Sequence, residues 1–190
     1  MKVNKYLPVQ IIHFLLLLAG IALQLVTIIC YFEQGMVLNH ISTIINIVAL
    51  GAGVAYTVLG YKKNAAVFYK IFMWLYAISA VITYTSMIIN PAGDSATLAV
   101  VLTKFISLGL IVLLAGAKDY GVVKSNIISI ALLALWTYEL ISCVIFVDKF
   151  SELNMFVPIL FNAIGQFVLA STAALMVCGK YIDKKARGAK

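Results

Sequence analysis

Lys104 and Glu139 are the residues of this sequence whose chemistry is hardest to place, because each interrupts a long apolar stretch. Lys104 lies eight residues from one end of its stretch, near Ala96, and Glu139 eight residues from the end of the next, near Val147. Counted as helix, both sit roughly 12 Å deep at 1.5 Å per residue. That is close to the middle of a hydrocarbon core about 30 Å thick. A lone charge at such a depth costs about 2.5–3.5 kcal/mol on insertion scales. The two side chains are therefore expected to face each other or a wet cavity rather than lipid. Two readings stand. One is a buried ion pair that fixes helix register; the other is a pair of contacts for opposite charges on a small solute. A buried pair is weak evidence for stability, since desolvation offsets the attraction.

Other polar side chains reach similar depth: Gln24, Asn46, Asn162 and Gln166, with Tyr76, Thr83 and Tyr138 nearby. Helical spacing arranges them in stripes: His13, Leu17, Gly20, Gln24 and Thr27; then Ser42, Asn46, Ala49, Gly53, Thr57 and Gly60; then Asn162, Gln166, Ala170 and Ala173. Small and amide residues at this spacing also serve close helix packing. Their coincidence with the charged pair points to a cavity opening outward. The expected solute contacts are Lys104, Glu139, Gln24, Asn46, Asn162, Gln166, Tyr138 and Trp136. Trp74 and Trp136 fall inside apolar stretches rather than at their ends, where indoles line a pocket, pack or face lipid.

The elements that position these residues follow from composition. Of the 190 residues 64% are hydrophobic and 11% charged, where a soluble domain has about a quarter charged. A chain this small cannot hide so much hydrocarbon from water. Six stretches reach the roughly 20 residues that a span needs: about 9–31, 41–61, 67–89, 96–117, 126–147 and 155–178. Backbone groups in lipid must satisfy one another within the segment, so each is expected to be an α-helix. The first is too long for the roughly 7–15-residue apolar core of a signal peptide and reads as a retained span. Asn90-Pro91-Ala92-Gly93-Asp94, Glu33-Gln34-Gly35 and Lys118-Asp119-Tyr120-Gly121 break the chain between stretches. The expected fold is all-α: one polytopic domain over 1–190, six transmembrane helices in three antiparallel hairpins.

Charge sets the expected orientation. With the N-terminus inside, twelve basic residues share one face: Lys2, Lys5, Lys62, Lys63, Lys70, Lys118, Lys124, Lys180, Lys184, Lys185, Arg187 and Lys190. The other face has Lys149 with Glu33, Asp94, Asp148 and Glu152. Both termini are thus expected in the cytoplasm, with the protein in the plasma membrane and 179–190 as a basic cytoplasmic tail. This asymmetry also accounts for the net charge of +7, so no nucleic-acid partner is expected. The tail reads as an orientation signal contacting anionic headgroups, or as a docking segment for a partner subunit.

A weak repeat relates Trp74-Leu-Tyr76 to Trp136-Thr-Tyr138, and glycine precedes lysine near the ends of the even-numbered spans, as in Gly60-Tyr61-Lys62 and Gly179-Lys180. Duplicated hairpins of this kind surround central sites in transporters. No nucleotide-binding, zinc-protease or nucleophile-elbow pattern occurs, so neither catalysis nor a metal or other cofactor is expected. Gly51-Ala52-Gly53 reads as close helix packing. His13 reads as an interfacial residue. Cys30, Cys143 and Cys178 have no metal-ligand spacing; buried free thiols are the favoured reading, a Cys30–Cys143 bridge the alternative.

Two function classes remain. One is binding or transport of a small polar or zwitterionic solute; the other is a non-catalytic membrane interaction subunit or scaffold. In size and number of spans the chain is similar in outline to the substrate-capture subunits of energy-coupling-factor vitamin transporters. The small-residue motif by which those subunits meet their partner is not evident on helix one, and the first loop is shorter than theirs, so membership is not assigned.

Overall fold

The computed structural model describes residues 7–30, 37–59, 65–89, 98–116, 122–145 and 153–188. Among them it contains six helices and no strand: α1 (Leu7–Cys30), α2 (Val37–Val58), α3 (Ala66–Ile89), α4 (Leu98–Gly116), α5 (Val122–Ile145) and α6 (Leu153–Gly188). The three connecting motifs named above, Lys2, Lys5, Lys62, Lys63, Lys118, Lys149, the acidic residues opposite them and Lys190 lie outside the described residues. So do the side chains of Lys180, Lys184, Lys185, Arg187, Cys30 and Cys143.

Among the described residues, five helices are long and apolar enough to cross a membrane. The exception is α4. It has 19 residues, of which those with described side chains, Leu102–Gly116, include Lys104. Despite Lys104, α4 is as apolar on average as α1, and its 19 residues cover about 28 Å at 1.5 Å per residue, close to a hydrocarbon core of about 30 Å. At the other extreme, α6 runs for 36 residues, about 54 Å at 1.5 Å per residue. The sequence reading ended this span at 178, but nothing between Gly179 and Gly188 breaks a helix, and the backbone continues.

Successive helices touch in chain order, α6 closes the ring onto α1, and α6 also meets α2 and α3 across the middle. Large side chains enter positions that glycine leaves open. A Cβ on Gly53 would stand 2.7 Å from Leu17 Cδ2, and one on Gly20 would stand 2.8 Å from Val168 Cγ1 and 3.2 Å from Leu50 Cδ1. Below these contacts, Thr57 Oγ1 hydrogen-bonds His13 Nδ1 at 3.1 Å. The matched positions 13, 17, 20 and 57, 53, 50 step by four and three residues, the spacing of a left-handed helix pair. This is how Leu17, Gly20, Gly53 and Thr57 come to be buried, and His13, expected at the interface, is completely buried with them. Gly51, by contrast, has nothing within 4 Å of a Cβ, so close packing belongs to Gly53 alone.

The remaining surface is inverted relative to a water-soluble protein. Ile29, Val58 and Val123 are 76%, 69% and 70% exposed, while Ser42, Asn46, Ser79, Gln166 and Thr172 are buried. Apolar side chains in that number outside and hydroxyls and amides inside are what lipid as the surrounding solvent selects. The helices are those of a multi-pass membrane protein.

Candidate functional site

The hydroxyls that tie the bundle together are local. In α2 and α3, Ser42 Oγ lies 2.7 Å from Thr83 Oγ1 and 3.2 Å from Ser79 Oγ. Thr83 uses its proton on the Ser79 carbonyl at 3.0 Å, so Ser42 is the donor to Thr83. Between α3 and α4, Tyr84 OH lies 2.7 Å from Ser107 Oγ, and Ser107 donates to the Lys104 carbonyl at 2.8 Å. Tyr84 therefore donates to Ser107. One turn of α4 is thereby fixed against α3 directly below the lysine side chain.

That side chain crosses to α5. Lys104 Nζ makes an ion pair with Glu139 Oε2, the side chains being 14% and 19% exposed. The two groups meet because α4 and α5 are neighbours and the residues sit at matching depth. Aromatic rings complete the surroundings. Lys104 Nζ lies 4.3 Å from the centroid of the Trp136 ring and 5.9 Å from that of Tyr84, both within cation–π range. Tyr76 of α3 brings its hydroxyl towards Trp136, yet neither Tyr76 OH nor Trp136 Nε1 reaches a hydrogen-bond partner. Tyr76 is 0% and Trp136 2% exposed. The two buried groups thus lie beside each other without a well-formed hydrogen bond, next to a carboxylate–ammonium pair.

The amides form a different group. Gln24 of α1, Asn46 of α2 and Gln166 of α6 are all buried. A Cβ on Gly165, next to Gln166, would stand 2.5 Å from Gln24 Nε2. The helix step that pairs Leu17 with Gly53 and Gly20 with Leu50 brings Gln24 level with Asn46 one turn further on. Asn46 Oδ1 and Gln166 Oε1 have no hydrogen-bond partner. Buried polar atoms without partners are uncommon in folded proteins and mark places where a water, ion or ligand completes the bonding.

Of the eight expected contacts, the structure brings together Lys104, Glu139 and Trp136 at α4–α5, and gathers Gln24, Asn46 and Gln166 at α1–α2–α6. The other two are corrected. Tyr138 is 64% exposed and Asn162 is also exposed, so both face outward. Tyr138 stands about half a turn from the buried Trp136 around α5, whereas Asn162 lies on nearly the same face of α6 as the buried Gln166, one turn away. The matched positions of the two Trp-x-Tyr segments differ in their surroundings: Trp74 is 49% exposed while Trp136 is buried, and Tyr76 is buried while Tyr138 is exposed. Cys178 is free and exposed, not a buried thiol. Tyr84 was missed. Its signal is the four-residue step from Tyr76 through Ala80, all three buried on one face of α3.

No family model, no curated protein and no solved structure matches this chain. The outline likeness to vitamin-capture subunits therefore carries no further argument, and function rests on the chemistry just described.

Proposed function

We propose that this chain is a six-span protein of the plasma membrane, folded as three hairpins with both termini in the cytoplasm. On this reading it binds or transports a small polar or zwitterionic solute. The site is the neighbourhood of Lys104 and Glu139, reached from the outer side. The observation that carries the reading is the juxtaposition of this ion pair with the open donors of Tyr76 and Trp136. A pair that served only to hold helices together has no use for further unbonded donors beside it, each of which costs about 1–3 kcal/mol when left unsatisfied. A solute supplies what they lack.

The test is a thermal-shift screen of purified protein against amino acids, vitamins and small cations. A ligand at 100 times its Kd stabilises by about 2.7 kcal/mol, well within measurement. Saturable stabilisation that disappears with Glu139→Gln supports the site; stabilisation indifferent to Glu139→Gln places binding elsewhere.

A second reading has its own observation. Lys104 and Glu139 contact each other directly, so the charges need no third group, and the chain then serves as an interaction subunit or scaffold. Its partner is another membrane subunit or a cytoplasmic one held by the basic tail. Under that reading the double replacement Lys104→Met with Glu139→Leu keeps full function and stability.

A further inference from the structure

The open donors and the pair have opposite requirements, and together they specify a ligand. Tyr76 O–H and Trp136 Nε1–H are unpartnered and almost wholly buried. Tyr76 adjoins Trp136 and Lys104 Nζ lies over the Trp136 ring, so the three groups belong to one cluster where α3, α4 and α5 meet. Such a spot suits an anionic oxygen pair. Glu139 is the carboxylate beside it and suits a cation.

Charge balance narrows the choice. The ion pair is neutral as a unit. An incoming anion or cation alone would leave one net charge in a low-dielectric site, at a cost that burial makes severe. A molecule carrying both charges separates the pair and replaces it with two new pairs, leaving the site neutral. Resting on the solute reading above, we propose that the ligand is a small ammonium–carboxylate zwitterion of the amino-acid class. Its carboxylate accepts from Lys104, Tyr76 and Trp136, and its ammonium donates to Glu139. The Lys104–Glu139 contact is the closed, ligand-free form of the site.

The experiment uses the full chain purified in detergent, with melting temperature followed against glycine, β-alanine, 4-aminobutyrate, their methyl esters and their N-acetyl derivatives. At least one free amino acid raises the melting temperature saturably, and neither of its blocked derivatives does. Tyr76→Phe removes a hydroxyl that has no partner in the unliganded protein, so melting without ligand is unchanged or raised, while affinity falls about ten-fold. Trp74→Phe, on the outer surface, leaves Trp136 as the sole tryptophan of the two, and its emission changes saturably with the same ligand. A blocked derivative that stabilises as well as its parent overturns the proposal, as does a Tyr76→Phe variant with unaltered affinity. If uncharged solutes stabilise and every amino acid is silent, the zwitterion falls while the solute site stands. If no solute in the wider screen binds, both fall.

Discussion

The ammonium of Lys104 lies 4.3 Å from the centre of the Trp136 indole ring while its charge is met by Glu139. Trp136 and Glu139 are three residues apart on α5, hence on one face, and Lys104 reaches both from α4. The lysine is held by a carboxylate and a π-face at once, the two kinds of partner an ammonium group prefers away from water.

Removing one member of this pair is expected to do more harm than removing both. Losing one partner of a buried ion pair costs about 3–5 kcal/mol, and replacing the whole pair with apolar residues is often neutral. Partial exposure of both side chains places the single changes at the lower end. Denaturation of Lys104→Met, Glu139→Leu and the double variant checks this; a double variant as unstable as the worse single one contradicts it.

Gly20 and Gly51 separate packing from propensity. Gly20→Ala drives a methyl against Val168 Cγ1, a side chain stiff at χ1, and is expected to cost about 1–3 kcal/mol. Gly51→Ala meets nothing within 4 Å and is expected to be neutral or mildly stabilising, alanine being the better helix former. Equal melting temperatures for the two variants would show that α1, α2 and α6 do not meet as described.

Thr57→Val keeps shape and removes the hydroxyl that bonds His13 at 3.1 Å. The expected loss is about 1 kcal/mol, that of a typical buried hydrogen bond. Ser42→Ala, which breaks the α2–α3 hydroxyl cluster, is expected to cost about 0.6 kcal/mol, the average for such bonds between membrane helices. Thermal denaturation in one detergent ranks the two, with Thr57→Val the less stable.

The charge of Lys104 within α4 makes its crossing the part of the topology most in need of a direct test. In a cysteine-free background, an impermeant thiol reagent added to intact cells is expected to modify Asp94→Cys and Lys149→Cys. It should spare Lys118→Cys and Lys185→Cys until the membrane is permeabilised. Modification of Asp94→Cys and Lys118→Cys from the same side would mean that α4 does not span.

Much of this architecture is legible in the residues, for identifiable reasons. Apolar stretches of span length announce helices wherever they end in Asn-Pro or Glu-Gln-Gly breaks. The stripes of α1 and α2 are readable because glycine and amides recur at four- and three-residue steps there. The Lys104–Glu139 meeting follows from equal depth on consecutive helices. Rotation about the helix axis is what escapes such reading. A span that is apolar on all sides carries little sign of which face meets its neighbours, so Tyr138 and Trp136, two residues apart, were placed together although they point to opposite environments. Asn162 is a different case: it lies one turn from Gln166 on nearly the same face, yet only Gln166 is buried, beside the point where Gly165 admits Gln24. The Trp-x-Tyr likeness of α3 and α5 misled because the buried partners are Tyr76 from one copy and Trp136 from the other.

One rod joins two ends of this molecule. The contact of Gly165 with Gln24 lies about a third of the way along α6, and the helix is unbroken to Gly188, about 34 Å away at 1.5 Å per residue. Whatever grips the final three turns holds a lever whose far arm rests against α1. Gln166 and the last turns of the chain are thus joined by continuous helix, with no loop between them.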